Sequence, residues 1–379
     1  MAIDRADRRD FLKASLVTAA AAWTGSTGPG AGAAPDRARA PRLRFAAVGL
    51  NHNHIYSMCE AVARGGGELV AYFAKEPDLA SDFGKRFPQA KPARSEKEIL
   101  EDPGILLVAS AGIPDERSPL GVEVMRHGKD YMVDKPGMTT LDQLAEARRV
   151  QAETRRIYSI DYSERFENRA TTRAAELVKA GAIGKVVQTI GLGPHRESPQ
   201  TRPAWFYEKK RYGGILCDIG SHQFEQFLHF TGSTRAEIVA ARVANVHHPD
   251  RPELEDFGDV MLQGDGGAGY LRVDWFTPGG LGTWGDARLT VLGTDGYIEV
   301  RKNIDIAGRP GGNHLFLVDQ KETRYVDSED QDLPYGRLLV DDVLNRTQSA
   351  MLQEHCFRAM ELALRAEKEA RPLRLPERQ

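Results

Sequence analysis

Three cysteines scattered through 379 residues are too few and too distant for a disulfide framework. Cys59, Cys217 and Cys356 each lie beside apolar residues and read as small buried core side chains. No C-x-x-C spacing occurs, so a thiolate metal pair is not expected. Neither charge sign is in excess: 51 basic and 54 acidic residues leave a net charge of −3. That balance argues against nucleic acid or an anionic membrane surface as partners. No run approaches the roughly 20 strongly apolar residues of a spanning helix, so no stable membrane anchor is expected. Internal repeats and a complete G-x-G-x-x-G loop are missing as well.

What is present begins at the N-terminus. Arg8-Arg9-Asp10-Phe11-Leu12-Lys13 is a paired-arginine signature. An uncharged, alanine-rich stretch follows over 14–23, then a small-x-small site at Ala31-Gly32-Ala33. Residues 1–33 therefore read as a twin-arginine signal peptide and 34–42 as a linker. The expected partner is the twin-arginine export machinery, and the expected location is the periplasm or the medium.

From residue 43 short apolar runs alternate with helical patterns. Strands are expected at 43–48, 68–73, 105–110, 131–133 and 157–161, with helices between them. This alternation predicts a parallel sheet covered on both faces, with ligands at the C-terminal strand edge. After about residue 168 a helix is followed by runs of strand alternation separated by glycine-rich turns, and the chain closes with a helix at 350–367. The fold class is α/β. A Rossmann-type parallel sheet (43–165) precedes an α+β domain (166–379) with a large, open, mostly antiparallel sheet.

Three segments carry candidate chemistry. Gly49-Leu50-Asn51-His52-Asn53-His54 occupies the first strand-to-helix turn, where backbone amides meet a pyrophosphate. Only the first glycine is kept: Asn51 and His54 stand at the second and third positions. The ribose-binding acid is expected at the end of the second strand, but Ala74 stands there, followed by Lys75 and Glu76. Val133-Asp134-Lys135-Pro136-Gly137 places a lysine on the ligand edge, with a surface turn lysine as the competing reading. Tyr212 to His222 contains Asp218 and His222 four apart, one helical turn from each other. A histidine there can take a hydroxyl proton. A helix-capping Asp218 and a satisfied polar His222 compete with that reading.

Together these segments resemble the Gfo/Idh/MocA family of sugar and inositol dehydrogenases, over nearly the whole chain after the signal. The most specific match is Gly213-Gly214 followed by Asp218 and His222. The resemblance implies hydride transfer between a carbohydrate and NAD or NADP. It implies catalysis by Lys135, Asp218 and His222: His222 as general base, Lys135 polarising the oxygen, and Asp218 orienting His222 or the substrate. Gly49, Asn51, His52, Ser110, Asp134 and Lys135 would line the cofactor. A homo-oligomer paired through the open sheet is implied too. Asp134 stands where the family has glutamate, and Asn51 and His54 would crowd the phosphate and the helix–strand contact. Two other readings stay open. One is a redox-neutral hydrolase or lyase, using NAD transiently or a divalent metal held by His52, His54 and His222. The other is a non-catalytic sugar-binding protein. Trp205, Phe206 and Tyr207 are candidates for stacking on a sugar ring.

Overall fold

The computed structural model describes residues 42–373, so the signal segment lies outside the described residues. The N-terminal half alternates β1 (Leu43–Val48), α1 (His54–Arg64), β2 (Gly67–Phe73), α2 (Pro77–Arg86), β3 (Lys91–Pro92), α3 (Glu96–Glu101), β4 (Leu107–Ser110), α4 (Pro114–Arg126), β5 (Asp130–Asp134), α5 (Leu141–Thr154) and β6 (Tyr158–Asp161). The strands form one parallel sheet in the order β3-β2-β1-β4-β5-β6, the doubly wound order with its switch point between β1 and β4. β4, β5 and β6 are buried at every residue, as strands covered on both faces must be. α3 was not anticipated: it is short and carries only Ile99 and Leu100 as buried residues, too few to show a period.

The chain leaves this sheet through α6 (Ser163–Phe166) and α7 (Arg169–Lys179) and enters the second sheet at β7 (Val186–Pro194). Two short helices, α8 (Lys209–Tyr212) and α9 (Ile215–Asp218), lead into α10 (Gly220–Thr231). Seven further strands follow: β8 (Ala236–Ala244), β9 (Phe257–Gly264), β10 (Ala268–Asp274), β11 (Arg288–Gly293), β12 (Gly296–Arg301), β13 (His314–Asp319) and β14 (Thr323–Val326). The chain then runs through α11 (Tyr335–Asn345), α12 (Gln353–Glu369) and β15 (Arg371–Pro372). The nine-stranded order is β14-β13-β12-β11-β7-β10-β9-β8-β15. Most pairs are antiparallel, but β10 runs parallel to β7, because the path from β7 crosses over through α10, β8 and β9 before returning beside it.

α10 is buried along almost its whole length between this sheet and α12. α12 also contacts α5 and β6, and α11 packs on α1, so the C-terminal helices tie the two sheets together. The expected closing helix begins at Gln353 rather than 350, and α11 ahead of it was not foreseen. The outer face of the second sheet leaves Met261, Leu292, Tyr297 and Tyr325 exposed.

Candidate active site

Lys135 follows the last residue of β5 and is held there by Arg117 of α4. The Arg117 guanidinium is buried; its Nε donates to the Gly112 carbonyl (2.7 Å) and its NH1 to the carbonyls of Asp134, Lys135 and Pro136. The Lys135–Pro136 bond is cis. With its backbone pinned, Lys135 extends Nζ to Asp218 Oδ1 at 3.1 Å. Burial works to raise the Asp218 carboxyl, but Lys135 outweighs it and keeps the group ionised below its ordinary range. Asp218 caps no helix, and its side-chain hydrogen-bond partner is Lys135 rather than His222, which leaves the orienting of substrate as its expected role.

α9 and α10 are helical on either side of Ile219, which has helical φ and ψ itself, so Asp218 and His222 do lie one turn apart. Their approach is set by Gly213 and Gly214, with φ of 90° and 93°. A Cβ on Gly214 would lie 2.1 Å from Glu367 Cδ. Glu255 and Glu367 accept the free amides of Ile215 (3.0 Å) and Leu216 (3.1 Å), the work an N-cap normally does. Burial, then the neighbouring Glu255, pushes Glu367 up to about 8.

His222 is buried, and burial lowers it to about 3, so the ring is neutral at physiological pH. Its Nδ1 has no hydrogen-bond partner among the described residues. Lys135, Glu164 and His54 lie close enough to act on its charge. Glu164 is itself bonded by Lys302 Nζ (2.6 Å) and Gln223 Nε2 (2.9 Å).

The structure adds residues with no motif to mark them. His195 is lowered to about 4 by burial and then Lys135, and senses Glu164 and Asp218 as well. Its Nδ1 lies 3.1 Å from the Gly193 carbonyl and so carries the proton, leaving Nε2 as an acceptor. Its ring meets Trp275 and Trp284 at centroid distances of 5.5 and 4.6 Å. Arg202 stacks over Phe206 and Trp275 and acts on the charge of Asp218. Of these rings Trp284 is exposed, while Trp275 and Phe206 are both buried in the core.

In the first loop, Asn51 lines the adjoining cavity, where its Nδ2 donates to Glu76 Oε1 at 2.8 Å. His54 does not wedge between α1 and the sheet, which Ile55, Met58 and Cys59 contact instead; its Nδ1 donates to Asp134 Oδ1 at 2.9 Å. His52 Nδ1 lies 3.0 Å from Asp134 Oδ2, poorly aligned for a hydrogen bond, and burial lowers His52 to about 4. Asp134 is fully buried, and Arg117 NH2 reaches Oδ2 at 3.0 Å. Burial favours its neutral form, but His54, Arg117 and His52 outweigh this and hold it well below the usual carboxylate range. His222 is not part of this group, so the expected trio of histidines is replaced by His52, His54 and Asp134.

A cavity of about 330 Å³ opens beside that loop, lined by Gly49, Asn51, Glu76, Ser110, Gly112 and Leu120 among others. Gly49 has φ of 74°, and a Cβ there would lie 3.0 Å from Gly112 Cα, so the two strand ends meet only through glycine. Asn53, at the start of α1, makes no side-chain cap, leaving that helix terminus open to an anion. Glu76, two residues beyond Ala74, places a carboxylate on the wall of this cavity. Lys75 lines the same cavity and pairs there with Glu116 at 2.9 Å.

Comparison with known proteins agrees with this geometry. Residues 171–299 match the family profile described as the GFO/IDH/MocA C-terminal domain. A crystal structure of a candidate oxidoreductase from Erwinia carotovora atroseptica SCRI1043 is 46% identical, with a TM-score of 0.85 over 88% of this chain and 100% of its own. The scyllo-inositol 2-dehydrogenase (NAD(+)) of Bacillus subtilis is 26% identical over 68% of this chain and 73% of its own. Levoglucosan dehydrogenase, solved with NADH and levoglucosan, shares the fold at a TM-score of 0.70 and 15% identity, over 86% of this chain and 95% of its own.

Proposed function

The chain belongs to the Gfo/Idh/MocA family of oxidoreductases, and from that premise we propose that it transfers hydride between a sugar, polyol or glycoside and NAD. The observation that carries this is the Lys135–Asp218 pair, set with neutral His222 and His195 at the strand edge beside an open dinucleotide cavity. The residues present fit a dinucleotide. Gly49 and the uncapped start of α1 offer amides to the pyrophosphate. Glu76, steadied by Asn51, is placed to accept the adenosine ribose hydroxyls. An acid there disfavours a 2′-phosphate, and Lys75 is already paired, which supports NAD over NADP.

When bound, the nicotinamide supplies the hydride acceptor or donor. The remaining work belongs to the protein. Lys135 gives one Nζ proton to Asp218 and keeps the others for the substrate oxygen, whose developing negative charge it stabilises. His222, neutral and deeply buried, takes the hydroxyl proton. Asp218 fixes Lys135 by direct contact, and Arg117 fixes it through the backbone. Trp284, exposed against the His195 ring, offers the wall against which a sugar face packs, as the relatives' carbohydrate substrates support.

Purified protein mixed with NAD and a panel of inositols, anhydrosugars and aldoses is expected to produce absorbance at the wavelength of NADH. Lys135→Ala and His222→Ala are expected to lower turnover by about 10²–10⁴-fold with NADH affinity retained. Unchanged turnover in both variants would sink this assignment. We also propose export of the folded chain, supported by Arg8-Arg9 and the small-residue site at Ala33; an uncleaved, cytoplasmic product in the native host would refute it. The exposed apolar side chains on the outer sheet face support pairing with a second copy, which light scattering tests.

A further inference from the structure

We propose that His52, His54 and Asp134 form a binding site for one divalent transition-metal ion of the zinc class, adjoining the dinucleotide cavity and Lys135. Their three ligand atoms lie within 4.8 Å of one another, two imidazole nitrogens and one carboxylate. That donor set suits zinc or cobalt, whose open sites carry three protein ligands and leave one position for water or substrate. Calcium and magnesium prefer all-oxygen shells and are poorly served here.

The geometry reads as a built site rather than a chance meeting. The two rings sit edge to face at 4.3 Å, spaced by the His-x-His repeat of the turn. The loop that carries them is tied to the next strand end by the His52 amide, which donates to the Ala111 carbonyl at 2.9 Å. Arg117 holds Asp134 from behind through Oδ2, as an outer partner that orients a metal-binding carboxylate does. Asp134 closes the inner side completely, while the His52 and His54 side chains stay about a quarter exposed (25% and 29%), so the open position faces the cleft.

One donor atom of the group is also left without a partner. His52 Nδ1 is shielded from solvent yet has no well-made hydrogen bond. Asp161, the register partner of Asp134 on β6, and Glu167 are buried nearby and share a hydrogen bond, and His54 acts on the charge of Glu167. Metal binding would displace the imidazole protons that now face Asp134.

The full mature chain is loaded with Co²⁺ or Zn²⁺, dialysed, and measured by elemental analysis and visible absorption. One ion per chain is expected, with the Co²⁺ form showing the visible bands of a four- or five-coordinate N,O site. His52→Ala, His54→Ala and Asp134→Asn are each expected to lose the bands and to weaken metal binding by at least tenfold. His127→Ala, an exposed histidine far along the chain, is expected to change neither. Thermal melts of each variant identify any that fail to fold. A wild-type chain that retains less than about a tenth of an ion, or a folded His52→Ala/His54→Ala chain that retains a full one, overturns the site. NADH binding, followed separately by fluorescence, distinguishes failure of this site from failure of the NAD assignment.

Discussion

The proposed preference for NAD rests on one side chain, Glu76. It stands three residues past the end of β2, at the start of α2, takes a hydrogen bond from Asn51 and lines the cavity beside Gly49. Hydrogen bonds from ribose hydroxyls to a carboxylate are each worth about 1.5–3 kcal/mol. Glu76→Ala is therefore expected to weaken NADH binding by about 10- to 100-fold in a fluorescence titration, while NADPH affinity holds or rises. Equal losses for both nucleotides would place Glu76 outside the ribose site. Lys135 and Arg117 show a division of labour at the same scale. Lys135 faces the cleft with its Nζ on Asp218, whereas Arg117 is spent on carbonyls and Asp134 and touches the chemistry only through the backbone it pins.

At the scale of elements, the turn before α9 sets the catalytic geometry. Gly214 has φ of 93° and ψ of 157°, a conformation that side chains avoid at a cost of about 1–3 kcal/mol. It also passes against Glu367, which is needed there to hold the Leu216 amide. Gly214→Ala is expected to lower the melting temperature by several degrees and to reduce turnover by displacing Asp218 from Lys135. Glu367→Ala alone, which frees the Leu216 amide and Lys209 without touching the glycine, is expected to lower the melting temperature less than Gly214→Ala; an equal or larger drop would show that the Glu367 contacts, not the backbone conformation, hold this turn. The same turn explains a limit of reading by pattern. Gly213, Gly214, Asp218 and His222 are legible as a spaced motif because they lie on one short stretch. Glu255 and Glu367, which replace the N-cap of α9, come from 40 and 151 residues away and leave no local trace.

Across the whole molecule, buried titratable groups set the response to acid. His52 and His195 are held near 4, and His222 and His229 near 3, against 6.5 for a free imidazole, with burial the largest cause in each. Because these values are depressed in the fold, the unfolded chain binds the extra protons, and stability falls as pH drops below about 6.5. Asp161, Glu167 and Glu367 are raised, so in the fold they hold protons that the unfolded chain has released above about 4.5. They offset much of the histidine effect between pH 6.5 and 4.5. Below that range the unfolded carboxyls protonate as well, the offset vanishes, and the depressed Asp134, Asp218, Glu164 and Glu225 add to the loss. Urea midpoints are expected to fall gently from pH 6.5 to 4.5 and steeply below it, each unbalanced proton contributing about 1.4 kcal/mol per pH unit. A midpoint flat down to pH 3.5 would show these groups to be solvated.

Local chemistry settled what the sequence alone determined here. The alternation of apolar runs and helical periods defined the parallel sheet, because strand and helix periods are properties of neighbours a few residues apart. Lys135, Asp218 and His222 were legible for the same reason, each lying within a short motif at a strand end or helix start. What only the tertiary structure decided was partnership. Lys135 meets Asp218 across 83 residues, which takes that carboxylate away from His222. His54 meets Asp134 across 80, turning one apparent defect in a phosphate loop into the partner of a buried acid. His195, Arg117, Asp161 and Glu167 join the site with no motif at all, because burial and charge depend on what packs around a residue, and that neighbourhood exists only once the two sheets and the helices between them are assembled.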